Sequence, residues 1–174
     1  MHIRDLLLDA FGRIDEEFRR TLDGLTAEQL TYLPNDQANS IAWLAWHLTR
    51  VEDDHVSDLA GRPQAWLSEG WHARFGKPAN AGDTGFGDSA SAVAALRPES
   101  AQLLLDYFGV VHTRSQDYLR GLDAADLDRE LDEQWDPPVT VGVRLVSVIA
   151  DCLQHVGQMA YVRGLIEQRH WLKY

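Results

Sequence analysis

Three residues combine a reactive side chain with a position that should be dry. Asp151 and His155 lie four apart, so on a helix they leave one face about one turn from each other. Their neighbours Val148, Ile149, Cys152, Val156 and Met159 are mostly apolar. His47 follows Leu44 by three and precedes Val51 by four, on the apolar line of a second helical segment. An ionised carboxylate on such a face costs several kcal/mol unless something compensates it. Three arrangements would do so. One is a hydrogen-bonded Asp–His pair in the core, and another is partial exposure at the bundle mouth. The third is a divalent cation held by His47, Asp151 and His155. Two imidazoles and one carboxylate with an open position suit Zn²⁺, and also Fe²⁺, Ni²⁺ or Mn²⁺.

Other polar residues surround this set. Arg50 and Gln158 each lie three residues after a proposed ligand, placed to reach a cofactor or substrate, to orient the site, or to serve as ordinary helix surface. Asp54, seven after His47, is about 20° from it around a helix, which suits a base behind the ligands or an exposed acid. His55 is expected at the rim, and His72 lies in an aromatic loop. Glu167-Gln-Arg-His170 has the Glu-x-x-His form of carboxylate-bridged di-iron bundles, but such a site needs two of these and two more Glu. Gly82-Asp-Thr-Gly-Phe-Gly follows no hydrophobic strand and reads as a loop rather than a dinucleotide fingerprint. Cys152, on an apolar face without an activating base, reads as a structural thiol.

Four long helices must position these groups. The first spans about Ile3 to Leu22, with Leu6, Leu7, Ala10, Phe11, Ile14, Phe18 and Leu22 recurring at spacings of three and four. The second runs from Ser40, its N-cap, to Leu59, where Gly61-Arg-Pro ends it. The third is expected to begin after Arg97 with Pro98 at N1 and to reach about Leu119. The fourth runs from about Val141 to Gln168. Thr26 caps a short turn, and Asp88 to Leu96 reads as another short helix. Residues 62–88 are too aromatic for a solvated linker and are expected to fold over one end of the bundle. The fold class is therefore all-α, an up-down four-helix bundle in one domain, 1–174, with a long connection between helices two and three.

Composition removes some functions. The 16 basic and 27 acidic residues give a net charge of −11. Nucleic-acid binding is not expected without clustered Lys and Arg, and an anionic membrane surface is disfavoured. The single cysteine excludes an intrachain disulfide and a CxxC zinc knuckle. That fits a cytoplasmic protein, as does the lack of a long apolar run or a leader-like N-terminus.

The stretches Ser40-Ile-Ala-Trp-Leu-Ala-Trp-His47-Leu, Val51-Glu-Asp-Asp-His55 and Asp151-Cys-Leu-Gln-His155-Val-Gly-Gln158 resemble the second and fourth helices of the DinB-like bundle superfamily. Gly70-Trp-His-Ala-Arg-Phe-Gly and the run from Trp135 to Leu145 are similar to an uncharacterised subgroup of it. The resemblance implies a metal triad at His47, Asp151 and His155. Many members carry His at the Asp151 position and Arg at the Val156 position. Members resembling mycothiol-dependent maleylpyruvate isomerase carry an acid in the Asp151 slot. The resemblance thus implies a metal enzyme, a transferase or isomerase using a low-molecular-weight thiol on a small molecule, and a homodimer. The alternatives are a metal-dependent hydrolase with Asp54 as base, a non-haem iron oxygenase, and a stress or binding protein with a vestigial site.

Overall fold

A computed structural model describes residues 2–131 and 136–169. Its helices are α1 (Ile3–Leu22), α2 (Ala27–Leu30), α3 (Ile41–Leu59), α4 (Ala65–Ser68), α5 (Trp71–Arg74), α6 (Ala90–Ala95), α7 (Ala101–Arg120) and α8 (Val141–Glu167), with a 3₁₀ turn at Asp126–Asp128. No described helix is long and apolar enough to cross a membrane. Side-chain oxygens set several starts. Thr26, Ser40 and Thr140 accept from the backbone N–H of Gln29, Trp43 and Val143, satisfying donors that the first turn leaves unpaired. The start expected at Pro98 is corrected: Ser100, in extended conformation, is the N-cap of α7, and the helix does not reach back to the proline.

The four long helices form a bundle in which α1 and α3 each pack against both α7 and α8. Phe11, Ile14 and Phe18 of α1 meet Leu104, Phe108 and Val111 of α7 and Val148, Cys152 and Met159 of α8 in one core. Phe18 stacks on Phe108 at 4.0 Å. Contacts along the helices give their directions. His55 meets Arg144 while Leu48 meets Cys152, so α3 and α8 are antiparallel. Arg163 near the end of α8 donates to the carbonyls of Thr21 and Asp23 at the end of α1, so these two run together. The up-down pattern is sharpened accordingly: α1 and α8 point one way, α3 and α7 the other. Two consecutive parallel helices need a long connection, which residues 62–88 supply.

That connection departs from its expected place. Instead of covering one end, it turns back at Gly61 and runs along α3. Trp66, Asp83, Thr84 and Asp88 meet Asp53, Arg50, His47 and Trp43 in turn, from the end of α3 towards its start. A helix with only two bundle neighbours would leave a face wet. With this third cover every residue from Ile41 to Arg50 is buried, including Trp43, Trp46 and His47.

Candidate metal centre

The bundle brings His47 of α3 against Asp151 and His155 of α8. One ligand atom from each lies within 4.8 Å of the others. His155 Nε2 stands 3.5 Å from Asp151 Oδ1, close to the ~3.4 Å between two ligands on one tetrahedral zinc at 2.0–2.1 Å. The two imidazoles meet edge to face with centroids 4.8 Å apart.

The outer hydrogen bonds set which nitrogen points inward. His47 Nδ1 faces the Thr84 carbonyl, which can only accept, so Nδ1 carries the proton and Nε2 the lone pair. His155 Nδ1 donates to Gln158 Oε1 at 2.8 Å, so Nε2 is the nitrogen turned towards Asp151, open to a cation once it gives up its proton. Trp43 stacks on His47 at 4.7 Å, and its indole N–H donates to Asp88. Metal-binding histidines are commonly held in this way. Asp151 Oδ2 is buried without a hydrogen-bond partner, a need that a cation would satisfy.

Charge follows the same geometry. Burial alone would raise the Asp151 carboxyl, but the neighbouring His155, with His47 and His55 behind it, holds it below its ordinary value. Burial opposes a charge on His155, yet Asp151 and Gln158 carry its pKa above the usual range. His47 is lowered, chiefly by burial, which keeps it a neutral donor.

The backbone that orients His47 is itself clamped. Arg50, fully buried, donates from Nε to the Asp83 carbonyl and from Nη2 to the Ala81 carbonyl and Gln64 Oε1. Its Nη1 reaches Asp53 and the Tyr107 hydroxyl. Every guanidinium N–H is thereby engaged, so the expected roles of Arg50 as cofactor contact or helix surface are corrected: it holds the connection. Asp53 completes the clamp by accepting from the backbone N–H groups of Ala65 and Trp66. Gly85 closes over the imidazole. A Cβ there would stand 2.8 Å from Trp46, 3.0 Å from Trp43 and 3.1 Å from His47 Nδ1, at φ +89°.

Gln158 accepts the hydrogen bond from His155 Nδ1. Asp54 is not at the triad. Its Oδ1 accepts from Gln64, and it lines a cavity with His55, which receives a hydrogen bond from Arg144. His72 packs against Trp66, away from the ligands. Cys152 is buried, its thiol donating to the Leu48 carbonyl, and burial pushes its pKa well up. Glu167 pairs with Arg163 and Arg169; His170 and Trp135 lie outside the described residues. Sequence reading missed Thr84, Gly85, Asp53 and Tyr107. The glycines between 82 and 87 were the available signal for close approach of backbone to another group.

A second carboxylate–histidine pair lies deeper. Glu52 Oε1 is 3.8 Å from His112 Nδ1, and both sit in the core between α3 and α7. Burial foremost, then the nearby Asp53 and Asp15, outweigh the neighbouring Ser115 hydroxyl and raise the Glu52 carboxyl to about 7.

Comparison with known proteins agrees with this architecture. A family model described as mycothiol-S-transferase matches residues 6–168. A crystal structure of a conserved protein from Enterococcus faecalis superposes with a TM-score of 0.89 at 31% identity, covering 97% of this chain and 99% of that one. No curated protein matches.

Proposed function

We propose, since this chain belongs to the mycothiol-S-transferase family, that it is a metal-dependent enzyme joining a low-molecular-weight thiol to a small electrophile. The observation that carries this reading is the triad. Two imidazole Nε2 atoms and an unpartnered carboxylate oxygen converge from two antiparallel helices.

His47, Asp151 and His155 would hold the cation, with zinc the metal proposed for two imidazoles and one carboxylate. When bound, the cation lowers the pKa of a coordinating thiol, so that a thiolate is present near neutral pH. The chain's own residues do the rest. Asp151 supplies one negative charge, leaving the loaded site at +1 and receptive to an anionic sulfur. Thr84 and Gln158 fix the imidazoles so that no ligand must reorient during turnover. The sulfur forms the new bond to the electrophile, its proton passes to water, and the leaving group departs. Cys152 is buried, so the reacting thiol comes from the cofactor.

Hydrolysis would need a base at the triad, and Asp54, the candidate for that role, is not placed there. Seven residues of helix put Asp54 about 10 Å from His47, where Gln64 holds it. A second copy of the chain is the protein partner we propose. Val143, Val146, Ala150, Leu153 and Gly157 repeat at alternating spacings of three and four on the exposed side of α8, the seam of a self-complementary helix pair. Light scattering should give a dimer, and Leu153→Arg a monomer.

The test of the chemistry is conjugation of mycothiol to 1-chloro-2,4-dinitrobenzene. Product should require one zinc per chain, vanish with a chelator and return with added metal. Failure of the protein to bind any of Zn²⁺, Fe²⁺, Ni²⁺ or Mn²⁺ at neutral pH would refute the reading.

A further inference from the structure

About two turns of helix from the triad lies a cavity of about 370 Å³. Its walls include Asp54, His55 and Asp58 of α3, Arg62 and Gln64 just beyond it, and Arg144 of α8. Helical register ties this cavity to the metal centre. Asp54 is seven residues after His47, and Arg144 seven before Asp151. Both pairs therefore share a face at about 10 Å separation, along antiparallel helices. The connection roofs both places: Ala81 lines the cavity, while Thr84 and Gly85 lie on His47.

The wall is rigid, and it has groups to spare. Gln64 is held between Arg50 and Asp54. Arg144 donates to His55 Nδ1, so His55 Nε2 carries a proton to offer. Asp54 Oδ2 lies 3.8 Å from His55 Nδ1, beyond hydrogen-bond reach. Among the described residues the side chains of Asp58 and Arg62 make no hydrogen bond, and the Arg62 Nε–H is buried without a partner. The open groups are thus two carboxylate acceptors, Asp54 and Asp58, beside the His55 imidazole and the Arg62 guanidinium as donors.

That mixture selects a chemical class. A simple anion meets Asp54 and Asp58, and a simple cation meets Arg62 and Arg144. A hydroxyl both donates and accepts, so several on one ring satisfy both signs at once. We propose that this cavity is the subsite for an uncharged, hydroxyl-rich ring, carried by a ligand whose other end reaches the metal centre. Identifying that ligand with the thiol cofactor rests on the S-transferase reading. Mycothiol bears its acylated cysteine on an aminosugar–inositol unit, which is a ring system of this class.

The experiment uses that unit without its sulfur. N-acetylglucosaminyl-inositol is titrated into ¹⁵N-labelled protein, metal-free and zinc-loaded, with amide shifts as the readout. We expect saturable shifts confined to residues 54–67, 81 and 144. We expect affinity at least tenfold weaker in Asp58→Asn/Arg62→Gln, with zinc affinity unchanged. These two side chains hold nothing else in the fold, so the variant should retain its stability. No saturable binding to the wild type, or equal binding by the variant, overturns the subsite. Intact mycothiol is then titrated in the same way. If the ring binds in the cavity but zinc adds nothing to mycothiol affinity, the subsite stands and the metal–thiol reading falls.

Discussion

On one side of α3, His155 Nε2 stands 3.5 Å from Asp151 Oδ1; on another, His112 Nδ1 stands 3.8 Å from Glu52 Oε1. The groups are the same and the spacing is nearly so, yet the carboxyls move in opposite directions. Asp151 keeps 34% of its side chain exposed and faces His155, His47 and His55, which hold its pKa down. Glu52 is fully buried, and the acids Asp53 and Asp15 add to the effect of burial and drive it up. The histidines diverge too: His155 is raised by its carboxylate, and His112 is lowered by burial. Surroundings therefore decide what a carboxylate–histidine pair is for. One pair keeps its charge, is partly exposed and has a third imidazole, so it suits a cation. The other sits in apolar core, where burial favours the protonated carboxyl.

Removing one histidine from each region should give the largest contrast. His47→Ala should weaken zinc binding by roughly 100- to 1000-fold, about a quarter of the ~10–16 kcal/mol that a four-ligand zinc site provides. His112→Ala should leave zinc stoichiometry and affinity as they are. Competition titration against a chromogenic chelator reads both. If His112→Ala altered zinc binding, the division between the regions would be lost.

The proton-holding pair has its own test. With a folded pKa of about 7 against an ordinary 4.5, Glu52 is protonated in the native state over a range where the unfolded chain has released the proton. Its contribution to stability is greatest below pH 4.5, declines as pH rises and levels off above pH 7. The whole penalty is about 3 kcal/mol. Glu52→Gln removes it, so the variant should match wild type near pH 4.5 and exceed it by about that amount at pH 8. Urea denaturation at four pH values between these limits measures the slope. A parallel pH dependence in both proteins would mean that Glu52 is already ionised in the fold.

The connection that closes over His47 comes next in size. Gly85→Ala places a methyl among Trp46, Trp43 and His47 at a φ of +89°, at a cost of roughly 1–3 kcal/mol. Zinc affinity should fall with it, because Thr84, the acceptor for His47, is the adjacent residue. Gly87 is also at positive φ, but a Cβ there would meet nothing within 4 Å. Gly87→Ala should therefore destabilise without touching the metal. Isothermal titration of both variants separates strain from site geometry.

The run Glu52-Asp53-Asp54 marks where sequence reading reaches its limit. Three adjacent acids look like one solvated patch, yet Glu52 enters the core, Asp53 anchors the connection and Asp54 walls a cavity. Nothing local distinguishes them, because their partners come from α7 and from residues 64–66. The same holds for Arg50, whose acceptors Ala81 and Asp83 lie 31 and 33 residues away. Thr84 acts through its backbone carbonyl, which carries no signature of residue type. By contrast, α1 and α8 were readable almost to the residue because apolar periodicity and a cap are local properties. The convergence of His47 with Asp151 and His155 was readable because helical spacing fixes which side chains share a face.

The smallest effect in this series sharpens the contrast most. Gln158 touches no other ligand, lies on the exposed side of α8 and accepts from His155 Nδ1 at 2.8 Å. In the Glu52 region the equivalent partner is Gln116, 2.8 Å from His112 Nε2. The first amide offers its oxygen, so Nε2 is the nitrogen turned to the carboxylate, and a cation can replace its proton; the second offers its N–H, so Nδ1 carries the proton that faces Glu52. Gln158→Ala should weaken zinc by about tenfold, as the imidazole loses the bond that fixes its tautomer and ring angle. Gln158→Glu retains an acceptor and should restore most of the affinity. Gln116→Ala should leave zinc untouched, since its histidine presents no lone pair to a metal. Equal zinc affinities in Gln158→Ala and wild type would mean that Asp151 alone sets the His155 ring, and the amide would then be incidental to the site.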